Sequence, residues 1–327
     1  MSAAGPPPRP PGRPKDAVAP SGGSELVELG GALPGARLPG GERREAPFAG
    51  DHASDDVERM EDVCALPLVH RVAATFDLDP ARYRNGDPLP RGWHVCLFTV
   101  PTRQSLLRPD GAAGLGVTLP DVGLPRLMIG GRRIRFAGDI PIGAAVRRES
   151  RRKAVIPKEG RSGRFVIVTI QHDVYVEGES RAAIEEEQDY MMREAVDAPT
   201  AAESKGARAQ TARPKATASR TVIPDETLLF RYSAITFNPH RIHYDYPYAR
   251  SQEGYPALVV NGGIALILLL ELFKCAAGRD PASVTARNVA PLFCGRELHL
   301  HGLDEGAAWR MWAEDNDHKL ALEAAIE

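Results

Sequence analysis

Asn261-Gly262-Gly263-Ile264-Ala265-Leu266-Ile267-Leu268-Leu269-Leu270-Glu271-Leu272-Phe273 is the stretch that decides the fold. From Ile264 onward it carries one charge and no polar stripe at helical period, so a helix here must be surrounded by protein on nearly all sides. A bilayer span needs about 20 apolar residues, which is more than this run supplies. Leucine dominance with few β-branched residues favours helix over strand. Asn261 is a good N-cap, and Gly278 with Pro281 marks the stop. The stretch therefore predicts a core helix whose first amides, at Gly262 and Gly263, have no intrahelical acceptor and sit at the positive end of the helix dipole. Glycines there let a substrate carbonyl approach the backbone, where an anionic oxygen could be stabilised.

Just upstream stands His240-Arg241-Ile242-His243-Tyr244-Asp245. His243 is the first candidate for proton transfer, because an imidazole with a pKa near about 6.5 takes a proton from water and returns it at neutral pH. His240 and Asp245 are the candidates to share that work. Arg241 can anchor Asp245 or face a phosphate. His240, His243 and Asp245 could also ligate a metal together with His299 and His301, which would share one strand face at spacing two. Nothing in the sequence fixes those two groups together, so no metal is expected.

The 327 residues suffice for two domains of ordinary size. With 41 basic and 43 acidic residues the net charge is −2, which argues against nucleic-acid binding. The four cysteines, at 64, 96, 275 and 294, have no CxxC spacing and read as buried thiols in a reducing compartment. No stretch has the apolar length of a membrane span or the apolar core of a signal peptide, so a cytoplasmic location is expected. Twenty of the first fifty residues are Pro or Gly, and residues 1–54 are expected to be disordered.

Val57, Met60, Val63, Cys64 and Leu68 suggest a helix after a Ser54 cap. Strands are expected at 91–100, 132–136, 164–176 and 182–190, the third continuing a hairpin turned at Gly160 to Gly163. From Asp197 to Ser219 the composition shifts to Ala, Thr, Lys, Arg and Pro, which reads as a linker. Beyond it come strands at 228–232, 297–301, 307–314 and 320–326, the last two joined by a turn at Asp315-Asn316-Asp317-His318. The division is an N-terminal domain at 55–195, a linker at 196–221 and a C-terminal domain at 222–327, all of α+β class.

Thr236-Phe237-Asn238-Pro239-His240-Arg241-Ile242-His243-Tyr244-Asp245, with Gly254-Tyr255-Pro256 and the Gly-led apolar helix, resembles the hydratase motif of MaoC-like hot-dog dehydratases. The similarity points to the two-domain hydroxyacyl-thioester dehydratase branch, which includes mesaconyl- and itaconyl-CoA hydratases. Leu124 to Gly131, Lys158 to Gly163 and Glu186-Glu187-Gln188-Asp189 resemble that branch's degenerate N-terminal half. The resemblance implies a double hot-dog, in which a curved antiparallel sheet wraps a long helix, with the first half lacking its central helix. It also places Asn238 where the wider family has an Asp paired with His243, and Asn261 where the family has a His. An amide is no base, but it can position water or hold a tautomer.

The activity implied by the resemblance is that of a hydro-lyase acting on a 2-enoyl or 3-hydroxyacyl thioester. Catalytic work would fall to His243, Asn238 and Asp245, and substrate binding to Gly262, Gly263, Asn261, His240 and Arg241. No cofactor is implied; the partner is an acyl-CoA or acyl-carrier-protein thioester, and a homodimer is a possible assembly. A fatty-acid dehydratase, a hot-dog thioesterase and a non-catalytic acyl-binding module are the rival readings. A dicarboxylate substrate would need a cation in the acyl slot, for which Arg103, Arg126 and Arg287 are available.

Overall fold

The computed structural model describes residues 57–327 apart from 116, 121, 125, 161–162 and 195–212. The expected disordered segment 1–54, residues 196–212 of the expected linker, and Arg161 and Ser162 of the Lys158 to Gly163 turn lie outside the described residues.

The chain forms β1 (Glu58–Val63), α1 (Leu66–Thr75), β2 (Arg126–Phe136), β3 (Ala145–Gly160), β4 (Gly163–Val176), β5 (Ile184–Arg193), β6 (Ala218–Val222), α2 (Glu226–Ile235), α3 (Tyr246–Ser251), α4 (Gly262–Ala277), β7 (Ser283–Asn288), β8 (Leu298–Asp304), β9 (Trp309–Glu314) and β10 (Leu320–Ile326). All ten strands join one sheet in the order β1-β3-β4-β5-β2-β7-β10-β9-β8-β6. Numbered within its own half, each set of five runs 1-3-4-5-2 from its outer edge to the middle, so the second half repeats the first in mirror order. The halves meet where β2 pairs antiparallel with β7, from Gly131 opposite Arg287 to Arg135 opposite Ser283. A Cβ at Gly131 would lie 2.6 Å from the Ala286 carbonyl oxygen, so glycine is what allows this seam to close. This is the double hot-dog fold, α+β in class.

The core helix is present as α4, with nine of its residues buried, from Ile264 to Phe273. Gly278 ends it in the left-handed conformation at φ 67°. In the second half α4 packs against β8, β9 and β6. Among the described residues, the corresponding stretch of the first half holds the 3-10 turns Trp93–Cys96 and Gln104–Leu106 and no long helix.

Expected elements differ in four places. Residues 228–232 lie in helix α2, whose Asp225 side chain accepts the Leu228 amide as a cap. Residues 91–100, expected as a strand, contain the Trp93–Cys96 turn, which leaves them outside the sheet. The expected early helix is strand β1, paired with β3, and α1 begins only at Leu66, after a break with Pro67 in its first turn. Residues 218–221 of the expected linker belong to edge strand β6, paired with β8.

Candidate active site

Two elements converge on one spot. The hydratase motif leaves α2 through Phe237, in the left-handed region at φ 49°, and makes a 3-10 turn, Arg241–His243, before α3. The segment 258–260 runs extended into α4: Val259 N–H donates to the Ile242 carbonyl, Val260 N–H to that of Leu292, and Cys294 N–H to that of Leu258. The motif and the start of α4 are thereby tied to each other through Val259.

His243 is 8 % exposed, and its Nδ1 lies 2.7 Å from the Val259 carbonyl oxygen. A carbonyl only accepts, so Nδ1 carries the proton and Nε2 presents a lone pair. Burial pushes the imidazole pKa down to about 4, against a smaller opposing effect of the Val259 carbonyl; His243 is therefore neutral at pH 7. The tautomer is thus held by Val259. Asn238 turns its Oδ1 to the His240 amide at 3.1 Å, which shapes the motif's turn.

The His240 ring meets that of His243 edge to face with centroids 5.5 Å apart. Its Nε2 lies 4.0 Å from Asp110 Oδ2, and burial lowers its pKa while Asp110 opposes the shift. Asp110 comes from the first half, on a loop packed closely against the motif: the Arg241 amide donates to the Asp110 carbonyl, and a Cβ at Gly111 would lie 2.3 Å from the Pro239 oxygen. Periodicity carries no signal for this loop; the turn residues Pro109-Asp110-Gly111 are its only mark in the sequence.

Both oxygens of Asp245 have local partners. Oδ1 accepts the Tyr248 amide as the cap of α3, and Oδ2 accepts from Arg241 Nε at 3.0 Å and Nη2 at 2.8 Å. The Tyr248 amide first, then Arg241, hold the carboxyl below its ordinary range. Arg241 also stacks over the Tyr248 ring at 4.0 Å. These three residues line an open groove of about 470 Å³ with Pro109, Ser251 and Gln252.

Asn261 occupies the N-cap position of α4 without capping it. It is 3 % exposed, and neither Nδ2 nor Oδ1 has a hydrogen-bond partner among the described residues. Two polar atoms buried in this way cost free energy unless a ligand satisfies them. Ile264 N–H donates to the Asn261 carbonyl, while Gly262, next in the chain, is exposed and Gly263 half-buried. The Tyr232 hydroxyl packs so closely on Gly263 that a Cβ there would lie 1.9 Å from it. A buried tautomer-fixed imidazole, an unpartnered carboxamide and an open helix N-terminus therefore share one neighbourhood.

His299 and His301 project from β8 on the face opposite Leu298 and Leu300, which are buried in the core. Each Nδ1 faces a hydroxyl of β6, Thr221 at 3.1 Å and Ser219 at 2.8 Å. Among the described residues no group of three or more His, Cys, Asp and Glu is placed to hold a metal ion.

A family model, hydroxyacyl-thioester dehydratase type 2, matches residues 92–294. A mesaconyl-C(4)-CoA hydratase of Chloroflexus aurantiacus is 38 % identical over 273 residues, covering 83 % of this chain and 94 % of that protein. HtdX of Mycobacterium tuberculosis superposes with a TM-score of 0.57 at 17 % identity, covering 83 % of this chain and 99 % of that one. A MaoC-like dehydratase from Phytophthora capsici gives 0.61 at 13 %, over 83 % and 94 %. At such identities these two structures speak for the fold alone, but the family match and the hydratase carry more: the chain belongs to the hydroxyacyl-thioester dehydratase type 2 family.

Proposed function

We propose that the chain reversibly adds water across the double bond of a 2-enoyl-CoA, and that its substrate is a C4-thioester of a methyl-branched dicarboxylic acid such as mesaconyl-C4-CoA. The carrying observation is the 2.7 Å contact from His243 Nδ1 to Val259, which leaves Nε2 as an acceptor beside the N-terminus of α4. The thioester carbonyl docks at the Gly262 and Gly263 amides, which draw electron density from the double bond and make the β-carbon electrophilic. Nε2 takes a proton from water as the water oxygen bonds to the β-carbon. The enolate then collapses as the imidazolium returns the proton to the α-carbon. Negative charge building on the thioester oxygen stabilises the imidazolium, offsetting its low resting basicity. Hydroxide at one carbon and a proton at the next sum to water, so the reaction needs no redox cofactor.

In this reading Asn238, with Oδ1 spent on its own turn, offers Nδ2 to the water, and Asn261 satisfies its carboxamide on water or acyl group. His240 tunes His243 through the ring contact, and Asp245 with Arg241 fixes the motif on α3. The 38 % identity to a mesaconyl-C4-CoA hydratase over nearly its whole length supports the substrate. A cytoplasmic location agrees with four unpaired cysteines. No helix among the described residues is long and apolar enough to cross a membrane. Phe230 and Phe237 are large apolar side chains left exposed in the single chain, and a homodimer would cover such residues.

A panel of enoyl-CoA esters tests the reading through loss of the conjugated thioester absorbance. Mesaconyl-C4-CoA should be hydrated with a higher kcat/KM than crotonyl-CoA. Preference for unbranched enoyl-CoA would replace this substrate with a fatty-acyl one, and thiol release from saturated acyl-CoA without hydration would mark a thioesterase.

A further inference from the structure

The first half holds charge on the face where the second half holds apolar side chains such as Val284, Leu300, Met311 and Leu322. Ile134, Glu186, His172 and Ser150 are cross-strand partners in a row over β2, β5, β4 and β3, and Arg132 with Gln188 lies in the next row. Ile134 is a core residue, so this row faces inward, where a central helix would lie in an unshortened half. Glu186 is 3 % exposed and gathers three donors: His94 Nε2 at 3.0 Å, Gln188 Nε2 at 2.9 Å and Arg132 Nη1 at 3.2 Å. Burial alone would raise its pKa, but Arg132 and His94 outweigh it and keep Glu186 an anion.

Arg132 is the unusual member. Its neighbour Arg133, on the other face of β2, spends its fork on carboxylates through Nε, Nη1 and Nη2, at 2.8, 2.7 and 2.9 Å. Arg132 has a side chain only 13 % exposed and, among the described residues, makes a single side-chain hydrogen bond, Nη1 to Glu186. A guanidinium has five N–H donors, and those of Arg132 on Nε and Nη2 are not sealed from solvent, so they remain open to a ligand.

Its position says what that ligand is. Arg132 stands opposite Ala286 of β7. Asn288, two residues beyond Ala286 on the same face of β7 and so about 7 Å from it, has its Oδ1 3.6 Å from where a Gly262 Cβ would lie. The Arg132 and Glu186 charges also act on the Tyr232 hydroxyl, which packs on Gly263. Arg132 therefore stands on the strand next to β7, on the inner face that leads to the first turn of α4, and among the described residues no long helix of the first half lies in between. In a C4 dicarboxylyl thioester the free carboxylate is three carbon–carbon bonds from the thioester carbon, at most about 4 Å. A long arginine side chain reaches that carboxylate from the position of Arg132.

We propose that Arg132 closes the acyl slot and determines specificity, binding the distal carboxylate of a thioester whose carbonyl rests on Gly262 and Gly263. Of the other arginines available for such a role, Arg126 pairs with Glu253 at 3.2 Å, Arg287 with Glu323 on the outer face, and Arg103 is exposed. The proposal rests on the thioester-hydratase reading and deepens it by naming the residue that reads the acid.

The test uses the full chain with crotonyl-CoA hydration as reporter and two non-reacting esters as competitors: succinyl-CoA, which carries the distal carboxylate, and butyryl-CoA, which lacks it. The wild type should bind succinyl-CoA more tightly. Arg132→Met should lower the butyryl-to-succinyl ratio of inhibition constants by about 30-fold or more, and Arg132→Lys should restore part of it. The KM for mesaconyl-C4-CoA should rise alongside. An unchanged ratio, or equal weakening of both esters as expected from a structural role through Glu186, overturns the proposal. If Arg132→Met does not fold, Arg132→Gln and Arg132→Lys supply the same ratio. Should the wild type fail to hydrate mesaconyl-C4-CoA, the substrate reading falls, while the competitor ratio still decides whether Arg132 reads a carboxylate.

Discussion

The Nδ1 of His243 and the carbonyl of Val259 are 2.7 Å apart, and that one contact sets both the tautomer of the imidazole and its distance from the core helix. Replacing His243 by Ala should lower kcat/KM at least about a hundredfold, the usual scale for a lost general base. The far-ultraviolet circular dichroism should be unchanged. A folded variant of near-normal activity would remove His243 from the mechanism.

The acid side of the pH profile follows from the same burial. The base works when neutral, and His243 is neutral above about 4, so kcat/KM should hold level from neutral pH down to about pH 5 and decline as pH falls through about 4. Stability shares the sign. His243 and His172 both have folded pKa values lowered by burial to about 4, against about 6.5 when unfolded. Their contribution is complete above the unfolded value and is lost as pH falls through the folded one. Urea midpoints should be lower at pH 5 than at pH 7; an unchanged midpoint would contradict the buried, neutral histidines.

Asn261 separates function from stability. Neither polar atom of its side chain has a partner among the described residues, so Asn261→Leu removes no folded-state hydrogen bond there. Its melting temperature should stay within about 4 °C of the wild type, while kcat/KM drops about tenfold or more. Full activity in that variant would reduce Asn261 to a bystander.

Asp245→Ala should do the reverse. The carboxylate caps α3 and holds Arg241, so its removal should lower the midpoint of chemical denaturation. Turnover should fall less than in His243→Ala; equal losses would move Asp245 into the proton-transfer step.

Gly263→Ala sets a Cβ 1.9 Å from the Tyr232 hydroxyl, on a side chain that is itself buried. A loss of about 1–3 kcal/mol is expected from overpacking. Adding Tyr232→Phe, which deletes the clashing oxygen, should recover part of it. A double variant no better than the single one would mean that the strain lies elsewhere.

The parts of the fold legible in the sequence are those with local causes. The Leu-rich run can only be a buried helix, and the Asp315 to His318 turn closes the β9–β10 hairpin as its composition implies. Pattern and structure part where distant partners decide. Residues 57–63 have helical spacing, yet 58–63 pair with β3 some ninety positions later, as Glu58 does with Ser150. Leu228, Leu229 and Phe230 look like a strand to a reader who passes over Pro224-Asp225-Glu226, a helix start with its cap. In the site, the motif points to His243 and the glycines, and the structure brings their segments together through Val259. Val259 itself cannot be foreseen, because its carbonyl acts as backbone and leaves no side-chain signature. Asp110 and Arg132 are hidden for another reason: each is one charged residue among many until the sheet brings it inward or against the motif.

The β2–β7 seam lets unlike halves stay matched. On separate chains, a half that had lost its helix would compete with its like for partners, and the mixed pair would thin out on dilution. A covalent connection turns that encounter into an intramolecular one, at an effective concentration on the order of millimolar for short tethers. Each half is then released from having to recognise itself, so one copy of a duplicated fold can change its interior without unsettling the chemistry kept by the other.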